Sequence, residues 1–120
     1  MKKTERLVES LYELLKEEAE IEKVIDSLPV GYISVKVISG HKYNYRQWRE
    51  GNKIISQYVP ESLLNSVKRK IAIRKENEAT LKLVRKEIKS VKGKVLRAGL
   101  LSEEEIANLK GKAKEEVAAE

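Results

Sequence analysis

The spacing of apolar residues changes twice along the chain, and these changes restrict the folds that it can adopt. Before Pro29, apolar residues recur every three or four positions, as on one face of a helix. Between Tyr32 and Val59, β-branched and aromatic residues alternate with polar ones, which is the period of a strand. After Pro60 the helical spacing returns. The pattern predicts helices on both sides of a sheet segment.

Turn and cap signals set the boundaries of these elements. The first helix should end before Pro29, because a residue that precedes proline is pushed out of the helical region. Ser102 and Glu105 have the spacing of a capping box, which predicts a third helix. The predicted single domain over residues 1–120 has this order: a long helix over 1–28, a three-stranded antiparallel meander over 29–60 with strands near 32–38, 42–50 and 53–59, a long helix over 61–98 and a short helix over 99–120. The fold class is α+β, mostly helical and coiled-coil-like.

Loop length decides which side chains share a face of the predicted sheet. We take residues 39–41 as a three-residue first loop and residues 51–52 as a two-residue second loop. This choice gives an apolar core face that carries most of the tyrosines, and an opposite, basic face. The basic face then carries Lys36, Lys42, Arg46, Trp48 and Lys53. A first loop of two or four residues would turn the first strand over, because successive side chains of a strand point to opposite faces.

An apolar seam in the second long helix extends beyond the length of the first helix. It weakens at Arg74, Asn77 and Glu78, and then resumes at Leu81, Val84, Ile88, Val91 and Val95. Exposed apolar surface costs about 25 cal/mol per Å², so either the third helix folds back over this stripe or a second chain covers it. We predict that these five residues mediate self-association in a homodimer, because the third helix is short and contains Gly111.

The residue content excludes several kinds of chemistry. With no Cys and with His41 as the single His, the chain cannot form disulfides, thiolate zinc sites or histidine clusters. The six glycines lie apart, so no glycine loop binds phosphate. No apolar run approaches the roughly 18 residues of a membrane span, and the N-terminus has no apolar signal core. We expect a cytoplasmic protein that is not an enzyme, with no catalytic residues, cofactor, metal or membrane partner.

Positive charge is concentrated in the middle of the chain. The net charge is +6; residues 29–60 carry +4 and residues 61–98 carry +8, whereas each end carries −3. This asymmetry indicates an anionic partner, or acidic ends that partly cover the basic middle. Cations beside a planar ring suit a nucleic acid, because cations contact phosphates and the ring stacks on bases. The predicted nucleic-acid-binding residues are Lys36, Lys42, Arg46, Trp48, Lys53, Arg69 and Lys70.

A structural alternative accounts for the same residues. Trp48 can pack on a helix while the lysine stems cover apolar surface and keep their charges in water. The cations of the second helix can likewise pair with the acidic first helix, which would leave fewer of them for a ligand.

Three motifs carry a resemblance to a known family. Residues 28–31 read LPxG, residues 43–53 read YxYxQxREGxK and residues 56–59 read SxYV. Over about residues 28–90 the chain resembles a small uncharacterised prokaryotic and phage-associated family with these motifs and a following Lys/Glu-rich helix. The resemblance implies the three-stranded fold and assigns no activity. The YxYR…EGxK hairpin alone is also similar to the arm-binding domains of tyrosine recombinases, which place a sheet on DNA.

Two classes of function follow from these observations. We predict a non-enzymatic nucleic-acid-binding or nucleic-acid-associated module that uses a basic sheet face and a basic helix. The alternative is a protein-interaction module, such as a phage- or mobile-element-encoded, anti-CRISPR-like inhibitor of a host nucleic-acid enzyme. Small size and the phage-associated resemblance favour the alternative, whereas the basic charge argues against simple DNA mimicry.

Overall fold

The computed structural model describes residues 3–120, with side chains from Arg6 onward. Within these residues it has three helices and a three-stranded antiparallel sheet, and most of the chain is helical. The elements are α1 Lys3–Asp26, β1 Tyr32–Ile38, β2 His41–Glu50, β3 Lys53–Val59, α2 Glu61–Arg97 and α3 Glu103–Ala118. The predicted α+β class and the predicted order of elements are confirmed.

The described residues form two compact units. The helical unit combines the described residues up to Val24 with Glu78–Glu120, and the sheet unit is the continuous segment Ile25–Asn77. The division within α2 lies where the apolar seam weakens, at Asn77 and Glu78. That interruption is a sequence signal of two units within the predicted single domain.

The helical unit has an apolar core to which all three helices contribute. Leu11 and Leu15 of α1, Val95 of α2, and Ile106 and Ala113 of α3 are buried together. Neither Leu11 nor Val95 exposes any surface. Since burying one Leu or Val side chain contributes about 1.5–3 kcal/mol, this cluster provides much of the stability of the unit.

The stripe that was predicted to mediate self-association is covered within one chain. Leu81, Val84 and Val95 are buried, with 7%, 6% and 0% of their surface exposed. Ile88 and Val91 pack against the core cluster to which α3 contributes. The third helix therefore folds back over the C-terminal part of the stripe, Ile88 to Val95, as the other alternative required. The homodimer itself stays untested, but the argument for it, an uncovered apolar stripe, fails at Leu81, Val84 and Val95 and is weakened at Ile88 and Val91, which are partly buried.

The predicted capping box at the start of α3 is present. The Ser102 hydroxyl accepts a hydrogen bond from the Glu105 backbone N–H, and the Glu105 carboxylate accepts one from the Ser102 backbone N–H, each at 3.1 Å. Before this capping box, α2 ends at a turn in which Gly99 has φ +67° and the Leu100 backbone N–H donates a hydrogen bond to the backbone oxygen of Val95. A glycine in this left-handed conformation commonly terminates a helix.

The first turn of the sheet has two residues, not the predicted three. The strand order is β1-β2-β3 with both pairs antiparallel, and Ile38 pairs directly with His41. Ser39 and Gly40 both have positive φ, 53° and 82°, as a two-residue type I′ turn requires. The predicted orientation of β1 relative to β2 and β3 is therefore wrong, because removing one loop residue turns the strand over.

The observed register defines two faces of the sheet. The tyrosine face carries Tyr32, Ser34, Lys36, Ile38, His41, Tyr43, Tyr45, Gln47, Arg49, Ile54, Ser56 and Tyr58. The tryptophan face carries Ile33, Val35, Val37, Lys42, Asn44, Arg46, Trp48, Glu50, Lys53, Ile55, Gln57 and Val59. The predicted basic face is thus divided, since Lys36 lies on the tyrosine face and its four predicted companions lie on the tryptophan face.

Two sets of contacts fix the start of the sheet unit. Gly31 has φ +110°, and a Cβ there would lie 2.1 Å from the carbonyl oxygen of Gln47, so glycine is required. Arg74 of α2 donates hydrogen bonds to the backbone oxygens of Ile25, at 2.6 Å, and Leu28, at 2.8 Å. These bonds satisfy carbonyl groups that the end of α1 leaves without helical partners.

Candidate nucleic-acid interface

The sheet unit carries the whole net charge of the protein. Residues 25–77 contain ten basic and four acidic side chains, which gives +6. The rest of the chain contains fifteen basic and fifteen acidic side chains, which gives zero. A positive potential confined to one unit raises the local concentration of polyanions around that unit.

Arg46 and Trp48 form a stack in the middle of the tryptophan face. The Arg46 guanidinium carbon lies 3.9 Å from the centroid of the Trp48 ring. Arg46 also donates to the backbone oxygen of Val30, at 2.7 Å, and to the Gln57 side chain, at 3.2 Å. The Trp48 indole N–H donates to Glu50 at 2.9 Å. Both predicted binding residues are half-buried, and their polar groups already have partners within the sheet unit.

Lys42 and Lys53 lie at opposite ends of the tryptophan face. Lys42 follows the first turn, whereas Lys53 pairs with Glu50 beside the second turn. Positions 42 and 50 of β2 are eight residues apart in sequence, a distance of roughly 27 Å along the strand. Both lysines are exposed, so with Arg46 between them they place cations along the length of the face.

Lys36 belongs to a different environment from the other predicted sheet cations. It pairs with Tyr43 across the strands, and its ammonium nitrogen lies 4.8 Å from the centroid of the Tyr45 ring. The lysine is exposed. A cation over an aromatic ring contributes about 0.5–1 kcal/mol at exposed sites, so this contact orders the side chain above the tyrosine face.

Arg69 and Lys70 are exposed on the part of α2 that belongs to the sheet unit, next to Lys68. None of the three forms an ion pair with a carboxylate of the described residues. At 3.6 residues per turn they point in different directions around the helix. Lys68 and Lys75 line a pocket of about 260 Å³ between α2 and β1, together with Tyr32, Ile33, Ile71 and Ala72.

Sequence reasoning missed the tyrosine face as a candidate site. It placed Tyr43, Tyr45 and Tyr58 on the core face, yet Tyr58 is 53% exposed and Tyr32, which joins them in the observed register, is 50% exposed. The missing information was the length of the first turn. Ser39-Gly40 between two alternating segments was the signal, because glycine is common where a two-residue turn needs positive φ.

The described part of the chain contains neither a metal-binding cluster nor a membrane-spanning helix. No group of three or more His, Cys, Asp or Glu side chains there is arranged to hold a metal ion. No helix among residues 3–120 is both long and apolar enough to cross a membrane.

Comparison with known proteins gives one match. A family model described as a domain of unknown function, DUF6788, matches residues 4–69. The match covers α1, the sheet and the first turns of α2. The chain matches none of the curated proteins and none of the solved structures with which it was compared.

Proposed function

The chain belongs to the DUF6788 family, whose function is unknown, and we propose from the properties of the sheet unit that the protein is a cytoplasmic, non-enzymatic module that binds nucleic acid. The observation that carries the proposal is the confinement of the whole net charge of +6 to residues 25–77. Phosphate contacts supply most of the affinity of such binding, whatever the base sequence.

The residues divide by the role that their surroundings allow. Lys42, Lys53, Arg69 and Lys70 are exposed and extend into solvent, so they are the proposed phosphate contacts. Arg46 is engaged with Val30, Gln57 and Trp48, so its proposed role is to support the face and add to its potential. Lys36 is proposed to contact phosphate from the tyrosine face.

Salt dependence of binding tests the proposal. Fluorescence anisotropy with a labelled single strand and a labelled duplex, at 50 mM and 200 mM salt, gives the slope of log K against log salt. Each phosphate contact contributes about −0.7 to this slope for a single strand and about −0.9 for a duplex. The double variant Arg69→Ala/Lys70→Ala should therefore bind more weakly, with a slope shallower by about 1.4 for the single strand and by about 1.8 for the duplex.

A matched pair of substitutions in the helical unit provides the control. Lys82→Ala with Lys86→Ala removes the same charge from exposed positions on the same helix. The control should leave the slope unchanged. Absence of binding at 50 mM salt, or equal losses in both double variants, would contradict a nucleic-acid interface on the sheet unit.

The competing class is a protein-interaction module, including the phage-encoded inhibitor that the motif resemblance suggested. A pull-down from nuclease-treated lysate separates the two classes. Loss of all captured material after nuclease supports nucleic-acid binding. Retention of a stoichiometric protein partner, with no binding to purified nucleic acid, contradicts it.

A further inference from the structure

All four tyrosines of the sheet unit lie on one face. Tyr32 of β1, Tyr43 and Tyr45 of β2, and Tyr58 of β3 share the tyrosine face in the observed register. Tyr45 and Tyr58 are directly opposite each other, with ring centroids 5.9 Å apart, and the Tyr43 and Tyr58 centroids are 6.4 Å apart. The rings therefore form an aromatic surface that spans all three strands.

This aromatic surface is accessible and carries positive charge. Tyr32 and Tyr58 expose 50% and 53% of their surface, and Ile54 on the same face exposes 59%. The charged residues of the face are Lys36 and Arg49, and it contains no carboxylate. Both cations are exposed. An aromatic sheet surface with cations and no carboxylate suits an anionic ligand that has flat rings.

We propose that the tyrosine face is a stacking platform for the unpaired bases of a single-stranded nucleic acid. Exposed tyrosine rings stack on bases of any identity, and the neighbouring cations contact the phosphates between them. A duplex cannot use the platform, because its bases are already stacked and paired. The inference rests on the proposed nucleic-acid binding and names the form of nucleic acid that the sheet unit binds.

The dimensions of the face indicate the length of strand that it contacts. Tyr32 and Tyr58 are two strands apart and two residues out of register, so their Cα atoms are separated by roughly 12 Å. That distance is the length of about four stacked nucleotides, at 3.4 Å each. A probe of about 12 nucleotides therefore covers the platform with excess at both ends.

An abasic oligonucleotide separates stacking from charge. Labelled oligothymidylate and an abasic strand of the same length carry the same phosphates, but only the first has bases. Stacking on aromatic residues changes affinity by about 5- to 100-fold per base. The wild-type protein should bind oligothymidylate at least about fivefold more tightly than the abasic strand. Equal affinities would overturn the stacking platform.

Substitution of Tyr58 locates the stacking on the tyrosine face. Tyr58→Leu should reduce the affinity for oligothymidylate by about 5- to 100-fold and leave the affinities for the abasic strand and the duplex unchanged. Tyr58→Phe keeps the ring and should keep the affinity. Val37→Ala alters an exposed residue of the tryptophan face and serves as the matched control. Equal effects of Tyr58→Leu on all three probes would contradict the inference.

The outcomes distinguish this inference from the proposed function. If the wild-type protein binds none of the probes at 50 mM salt, the proposed function fails. If it binds all of them with steep salt dependence, but neither the bases nor Tyr58 affects the affinity, the stacking platform fails and the proposed function stands. Should Tyr58→Leu fail to fold by circular dichroism, Tyr32→Leu on the edge strand provides the same test.

Discussion

At the scale of single residues, Tyr12 shows how one contact within the helical unit changes the chemistry of a side chain. Its hydroxyl donates a hydrogen bond to the Glu116 carboxylate. This bond, with smaller contributions from burial and from the nearby negative charges, raises the pKa of Tyr12 to about 12. Because α1 and α3 supply the two partners, the protonated tyrosine links the first and third helices.

The raised pKa makes stability depend on pH in a defined window. In the unfolded chain the Tyr12 pKa has its ordinary value of 10.0, whereas the folded pKa is about 12. The hydrogen bond therefore stabilises the folded state fully below pH 10, and its contribution is lost as the pH rises from 10 toward 12. Between pH 8 and pH 11 the urea midpoint of the wild type should decrease more than the urea midpoint of Tyr12→Phe. Equal decreases in both proteins would contradict this assignment.

Arg46 and Trp48 show the limit of assigning single residues from sequence. Their spacing predicted that they lie on one face, and the register places them there. Sequence does not reveal that they stack on each other, or that Arg46 donates to Val30 and Gln57. Those contacts depend on the turn before β1 and on β3, which come close to Arg46 only when the sheet is formed.

At the scale of elements, Glu18 is a buried charge within the helical unit. The carboxylate lies on the heptad seam of α1 and is only 8% exposed. Arg85 of α2 approaches it at 3.2 Å and Lys110 of α3 at 3.9 Å. Arg85 also pairs with Glu22 at 2.9 Å. The hydrogen bond to Glu22, and to a smaller extent the one to Glu18, raises the pKa of Arg85. The three helices thus share one network of charges.

Removing the cation should destabilise the protein more than removing the buried anion. Arg85→Met leaves the Glu18 charge buried with only the more distant Lys110, and should lower the unfolding free energy by about 1–3 kcal/mol after allowance for the exposure of Arg85. Glu18→Leu replaces the charge by an apolar side chain on an apolar seam, and should change stability by less than about 1 kcal/mol. Chemical denaturation of both variants and of the double variant measures the difference. A larger loss in Glu18→Leu would contradict this ranking.

The elements were predictable from sequence to within a few residues, whereas the register of β1 was not. Period, proline positions and the Ser102 capping box depend on neighbouring residues, so α1, β1, β3 and α3 end close to their predicted boundaries. The register depends on whether Ser39 adopts positive φ, which a non-glycine residue rarely does. That one residue decides on which face Tyr32 and Lys36 lie, and hence which side chains of β1 join the tyrosines of β2 and β3.

At the scale of the whole molecule, the partial burial of Ile88 bears on oligomeric state. Ile88 packs against the core of its own chain, so Ile88→Asp should lower the unfolding free energy by at least about 2 kcal/mol. Leu83→Asp changes a residue that is 68% exposed and should alter it by less than about 0.5 kcal/mol. Sedimentation equilibrium of the wild type should give the 13.7 kDa mass of one chain. If the wild type had the mass of two chains, and Ile88→Asp reduced it to the mass of one chain without loss of stability, the homodimer would be supported instead.

The continuity of the sheet unit has a consequence for the order in which the protein folds during synthesis. Every residue of that unit, Ile25–Asn77, leaves the ribosome before the helical unit has received Glu78–Glu120. Compact units tend to fold as their chains are completed. The sheet unit can therefore form while Leu11 and Leu15 of α1 still lack the partners Val95, Ile106 and Ala113. During that interval the nascent chain carries the basic sheet together with a helix whose apolar face stays uncovered until Val95 and the third helix have been synthesised.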